Sequence, residues 1–186
     1  MDAKNYAWFI SLFILAQLFG ITMIIMVVMW MSIYQGGLNS WATKKVFNYH
    51  SVFMPVSMVF LYGDAILIFR LLNMMNKYYV KIAHGVIQVL VLVLATVGLV
   101  AVFQYYKIEN YSHLYTIHSW LGLISVALFS LQWIMGFVSF LFPKLSEEIR
   151  KAYLPHHRFF GLVIFIYCCA TSLIGLAEAS IFDVKG

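Results

Sequence analysis

Five uninterrupted apolar runs constrain this chain more than any other feature. They cover about residues 7–34, 47–70, 81–105, 114–142 and 154–181, and each exceeds the about 20 residues needed to cross a hydrocarbon core of roughly 30 Å. Lipid offers backbone N–H and C=O groups no partner, so a run of that length must close its hydrogen bonds within itself, as a helix. The expectation is an all-α membrane protein, a transmembrane helical bundle of five spans. The connections, around Gly36-Gly37, Asn73 to Lys77, Lys107 to Ser112 and Pro143 to Lys151, are short and polar. Sequential helices should therefore be antiparallel neighbours, and residues 1–186 read as one transmembrane domain.

Composition agrees, with 63% hydrophobic and 10% charged residues, where soluble domains keep roughly a quarter charged. The net charge of +5 does not point to nucleic acid, because the basic residues stand singly or in pairs between apolar runs and form no basic face. They read as topology signals. Lys4, Arg70, Lys77, Lys81, Lys144, Arg150, Lys151 and Arg158 fall on one side, and Lys44, Lys45, Lys107 and Lys185 on the other. That imbalance places the N-terminus in the cytoplasm and, with five spans, the C-terminus opposite. The first run is too long and too weakly flanked for a cleaved signal peptide. Cys168 and Cys169 are adjacent inside an apolar run and are not placed to pair with each other.

Four of the six histidines lie inside spans at two depths. His50 follows Lys45 by five residues and His118 follows Ser112 by six, about two turns inside the non-cytoplasmic face. His84 follows Lys81 by three and His157 follows Lys151 by six, slightly inside the cytoplasmic face. Depth pairs the second helix with the fourth and the third with the fifth. A four-helix core holding two haems through bis-histidine ligation needs this placement, because two facing helices must each present an imidazole at one level. The two irons would stand roughly 15–20 Å apart along the membrane normal. A lone intramembrane histidine is otherwise a packing residue or part of a proton relay.

His157 is preferred to His156 as ligand because Gly161 lies four residues on, as Gly122 does from His118. A glycine one turn from the ligand leaves room for a flat macrocycle. His156 reads as an interfacial histidine at the helix start. Gln88, one turn from His84, and Gln132, fourteen residues past His118 on nearly the same face, can hydrogen-bond a ligand imidazole or serve as interhelical contacts.

The segments Phe47-Asn48-Tyr49-His50, Lys81-Ile82-Ala83-His84-Gly85, Leu114 to Gly122 around His118, and Pro155-His156-His157-Arg158-Phe159-Phe160-Gly161 resemble the haem-ligand motifs of the cytochrome b-561 family. These are di-haem, ascorbate-dependent transmembrane oxidoreductases, ferric reductases among them. The resemblance runs over nearly the whole chain and implies two haem b groups, one on His50 and His118 and one on His84 and His157. It also implies haem contacts by Arg70, Lys77, His113, Leu114, Tyr115, Thr116 and Glu178, and ascorbate binding at the cytoplasmic face by Lys77, Lys81 and Arg150. On the acceptor side it points to Tyr106, His113 and Tyr115. A basic cluster suits ascorbate, a monoanion, and the carboxylates of haem propionates.

Three positions depart from the family pattern. Ser51 stands where a proline often follows the first ligand, Tyr106 replaces a histidine in the acceptor region, and Asp64 puts an acid deep in the second helix. The resemblance implies six helices, of which the last carries no ligand and lies beyond the five runs read here. The resemblance implies electron transfer from cytoplasmic ascorbate through the haems to monodehydroascorbate or a ferric chelate, in a vesicle, lysosomal or plasma membrane, with a homodimer as the usual assembly. A haem-bearing anchor of a larger redox complex would share the ligand pairs but lack a substrate site. A histidine-lined proton or metal transporter would place its polar groups nearer the midplane.

Overall fold

The computed structural model describes residues 3–185; the side chain of Lys185, used in the charge count, lies outside what is described. Five helices have the length and apolarity to span a membrane: α1 (Lys4–Tyr34), α2 (Lys44–Leu71), α3 (Lys77–Ile108), α4 (Ile117–Phe140) and α5 (Glu147–Ile181). The chain is a multi-pass helical membrane protein.

The helices end where the backbone finds other partners. Past α1 the chain turns through Gly36 and Gly37, at φ of 76° and 78°, a left-handed region that favours glycine. The Asn48 carboxamide donates to the carbonyls of Gln35 and Gly37 at 3.0 and 2.7 Å and so fastens this turn to α2. The Asn76 side chain caps α3 by accepting from Tyr78 N. Thr116 and Ser119 form a reciprocal capping box at the start of α4, which satisfies N–H groups that the first turn leaves unpaired.

Two boundaries differ from expectation. α5 begins at Glu147, two turns before the anticipated start, and runs through Pro155. Glu147 and Glu148 suit the positive end of the helix dipole, and Glu147 pairs with Lys151 at 2.7 Å, one turn on. α4 begins only at Ile117. His118 therefore sits in its first turn rather than two turns in.

α2 is interrupted. A π-helical segment, Val56–Leu61, follows Pro55. The proline lacks the N–H that would bond to Ser51 O, and a π turn accommodates one more residue than an α turn. Ser57 fills part of the break, its hydroxyl donating to Phe53 O at 2.7 Å.

α2 packs along α3, and α4 along α5, while the two hairpins touch each other more sparsely. At mid-depth the space between them is closed by Met58, Tyr62, Val91, Ala95, Val126, Phe129, Ile164 and Cys168, all buried. The Tyr62 ring packs edge-on against Phe129 at 4.9 Å, and its hydroxyl donates to Gly161 O at 2.9 Å, joining the hairpins through one side chain. α1 lies at the periphery, with no buried residue in its most apolar stretch. Cys168 and Cys169 are both free.

Candidate functional site

The structure brings the four histidines together in the two couples that depth suggested. The rings of His50 and His118 stand 6.1 Å apart, centroid to centroid, and those of His84 and His157 stand 6.4 Å apart. Each couple bridges the sparse gap between the hairpins.

Three of the four rings use Nδ1 on a main-chain carbonyl of the neighbouring helix. His50 reaches Gly98 O at 3.1 Å, His84 reaches Ala65 O at 2.7 Å, and His118 reaches Thr171 O at 3.0 Å. A carbonyl only accepts, so Nδ1 carries the proton and Nε2 keeps its lone pair free. The fourth ring, His157, meets the Gln132 side chain instead, with Nδ1 at 3.2 Å from Nε2 of the amide, which also donates to His157 O at 2.6 Å.

A four-turn rule ties these contacts together. Each core helix carries one ring and, further along, the group that orients the ring of its hairpin partner. The separation is fourteen residues in α3 (His84, Gly98), α4 (His118, Gln132) and α5 (His157, Thr171). Fourteen residues is nearly four α-helical turns and about 21 Å, so ring and acceptor share a face at two levels. In α2 the interval from His50 to Ala65 is fifteen, and the π segment lies between them. Its wider turn absorbs the additional residue and keeps Ala65 in register.

Glycines on the partner helices make room for the rings. A Cβ at Gly175 would stand 2.5 Å from Cε1 of His118, and one at Gly136 would stand 2.8 Å from Cε1 of His157. Both lie on the partner helix, one turn past the orienting residue. Gly122 faces a methyl of Thr171 at 3.9 Å, and Gly161 faces the Gln132 amide nitrogen at 3.4 Å. Ala65, Gly98, Gly136, Thr171 and Gly175 were not singled out from the sequence. The four-turn interval from a histidine is the signal that would have found Gly98 and Thr171; Ala65 lies one residue beyond that interval, and Gly136 and Gly175 one turn beyond it.

At the face carrying the α2–α3 and α4–α5 turns, Lys81 lies within electrostatic reach of Arg150 and Lys144. Nε of Arg150 is buried without a hydrogen-bond partner among the described residues. Lys77 is exposed and donates to Asn73 O at 3.2 Å, turned toward the α2–α3 connection. The Arg70 guanidinium lies 4.8 Å over the Phe9 ring, a cation–π contact to α1. Gln88 is buried, with its Oε1 unpartnered among the described residues. His156 is exposed and turned back on Ala152 O at 3.1 Å.

At the opposite face His113 is exposed and stacks on Tyr106 at 5.7 Å, beside Phe103. Glu178 lies within electrostatic reach of Tyr106. Leu114 is held at a φ of 53°, Tyr115 is 83% exposed, and Thr116 is engaged as the cap of α4. Asp64 accepts from Nε2 of Gln17 at 2.5 Å beside a cavity of about 540 Å³ between α1, α2 and α5, lined by Gly20, Phe60 and Phe165 among others.

Helices of this length, arranged as two hairpins with imidazole couples between them at two levels, define a multi-span membrane protein built around facing histidines. The chain belongs to the eukaryotic cytochrome b561 family, whose profile matches residues 49–183 and so takes in all four of these histidines. It is 40% identical over 171 residues to the human protein named transmembrane ascorbate-dependent reductase CYB561, covering 92% of this chain and 68% of that one. The sheep protein of the same name is 43% identical over 169 residues, at 91% and 67% coverage. A rice protein named probable ascorbate-specific transmembrane electron transporter 1 is 36% identical over 159 residues, at 84% and 68%. The chain spans about two thirds of the length of these relatives.

A b-type cytochrome family implies haem b, and the residues present fit it. A metal bonded to one nitrogen of each of two opposed rings, at about 2.0–2.1 Å and about 1.1 Å from nitrogen to ring centre, separates the centroids by roughly 6.2–6.4 Å. Both couples stand close to that separation. Among the described residues no third His, Cys, Asp or Glu joins either couple, so each couple would hold the iron of one haem b through its two imidazoles, and the group would supply one-electron chemistry there.

Proposed function

We propose that this chain carries electrons across a membrane from ascorbate to an acceptor on the far side, using two haem b groups. One is held by His84 and His157 near the cytoplasmic face and one by His50 and His118 near the other. The observation that carries the reading is the pair of imidazole couples, at 6.1 and 6.4 Å and about four helical turns apart. When bound, haem supplies a one-electron ferric/ferrous couple. The protein's share is placement. Main-chain carbonyls hold three rings with Nε2 bare, Gln132 holds the fourth, and the Tyr62–Phe129 cluster fills the space between levels, excluding water.

The face with Lys81, Arg150 and Lys144 is the cytoplasmic one, by the excess of Lys and Arg on that side. Relatives are named for ascorbate, and the cluster suits it. Ascorbate is a monoanion, and the unpaired donor of Arg150 beside Lys81 favours an oxygen acceptor. Ascorbate gives up one electron and one proton there, becoming monodehydroascorbate. Arg70 and Lys77 stand at the same end of the bundle. On the far side, Tyr106, His113 and Tyr115 form a shallow aromatic surface for the acceptor, either monodehydroascorbate or a ferric chelate.

The test is a reduced-minus-oxidised absorption spectrum of the purified protein with haem quantified per chain. A ratio near two, with reduction by ascorbate, is the expected result. A ratio of one, or reduction by dithionite alone, overturns the corresponding half of the scheme.

A further inference from the structure

His157 differs from the other three rings in what it leans on. Gly98, Ala65 and Thr171 present main-chain carbonyls, whose position and polarity are fixed by the helix that owns them. At the equivalent four-turn position of α4, the partner is the side chain of Gln132. A carboxamide has a donor end and an acceptor end of nearly equal size. Here the nitrogen end faces both His157 O and Nδ1. A donor facing Nδ1 puts the ring proton on Nε2, the nitrogen that must be bare to bind iron. Oε1 reaches Nδ1–H, and frees Nε2, when the carboxamide turns and gives up its donation to His157 O; exchanging its two ends in place would set Oε1 2.6 Å from that carbonyl oxygen. Gly161 has no side chain to oppose the movement; a Cβ there would stand 3.4 Å from the amide nitrogen.

We propose that Gln132 is the positioning residue of the cytoplasmic haem: its carboxamide oxygen takes the Nδ1 proton of His157 and sets how strongly that imidazole donates to iron. This rests on the di-haem reading above. The other haem has only main-chain carbonyls behind its ligands, so its potential is not open to the same adjustment. A stronger acceptor behind the ring gives it imidazolate character and favours ferric iron; removing the acceptor favours ferrous iron. The sign of the effect therefore follows the chemistry of residue 132.

The experiment is a spectroelectrochemical titration of the full chain and of Gln132→Leu and Gln132→Glu, with haem quantified in each. A His118→Ala background assigns the cytoplasmic potential. Gln132→Leu is expected to raise that potential and Gln132→Glu to lower it, each by roughly a tenfold change in the ferric/ferrous equilibrium, about 59 mV for a one-electron couple. Gln132→Leu leaves the other haem unmoved. Loss of the cytoplasmic haem from Gln132→Leu, with Gln132→Glu retaining it at a lowered potential, also supports the assignment. Shifts of the same sign, equal shifts at both haems, unmoved potentials, or loss of haem from both variants overturn it. A parent chain with two haems and unmoved variants refutes this inference alone. A parent chain without haem refutes the di-haem reading with it.

Discussion

Gly175→Ala adds a single methyl group against the ring of His118. That carbon would stand 2.5 Å from Cε1, 2.8 Å from Nδ1 and 3.0 Å from Nε2, where carbon contacts settle near about 3.5–4.0 Å. The ring must retreat by about 1 Å or α5 must move away. The imidazole is rigid and tied through Nδ1 to Thr171 O at 3.0 Å, on the same helix as the new methyl, so retreat strains that hydrogen bond and moves Nε2 off its axis toward His50. Overpacking costs about 1–3 kcal/mol and the hydrogen bond about 0.5–1.5 kcal/mol. Together they come to about 1.5–4.5 kcal/mol, or roughly 10- to 2000-fold weaker retention at about 1.4 kcal/mol per tenfold. Haem quantified per chain after detergent purification should fall from about two toward one, with the loss confined to the non-cytoplasmic component of the reduced-minus-oxidised spectrum. Two haems with an unchanged spectrum in Gly175→Ala, or equal loss of the cytoplasmic component, would refute the reasoning.

Gln17→Leu leaves the Asp64 carboxyl without its hydrogen-bond partner beside an apolar cavity and should lower stability by about 1–3 kcal/mol. The double variant Gln17→Leu/Asp64→Leu should recover most of that, and thermal unfolding in detergent distinguishes the two outcomes. Lys81→Gln and Arg150→Gln should each raise the KM for ascorbate about tenfold or more, since charge-assisted contacts contribute about 1.5–3 kcal/mol. Dithionite reduction should be unaffected. An ascorbate KM that does not move in either variant, followed by stopped-flow haem reduction, removes the basic cluster from the donor site.

The fold was legible because the bilayer leaves a long apolar run one choice of structure, and runs ended by Lys, Gly and Asn mark its limits. The ends were less so. Glu147 to Lys151 read as part of a polar connection, yet the α5 backbone begins at Glu147 and continues through Pro155. The histidine couples were legible from depth alone, since antiparallel spans of known ends place residues at computable levels. The aspect of each helix toward its neighbours was not. Gly122 and Gly161 stood out as room for a macrocycle because they lie one turn from a ligand on its own helix. The glycines against which the imidazole rings press, Gly175 and Gly136, lie across the hairpin.

Taken by itself, the sequence determined that these residues form five helices able to span a membrane, with histidines at two levels, because hydrophobicity and depth are properties of single residues read along one axis. Only the tertiary structure decided which backbone carbonyls hold the rings, that Gln132 stands in for one of them, and that a π turn in α2 keeps Ala65 in register with His84. Those facts depend on how helices rotate and pack about their own axes. A main-chain carbonyl looks the same at every position of a sequence, so nothing short of packing can select one.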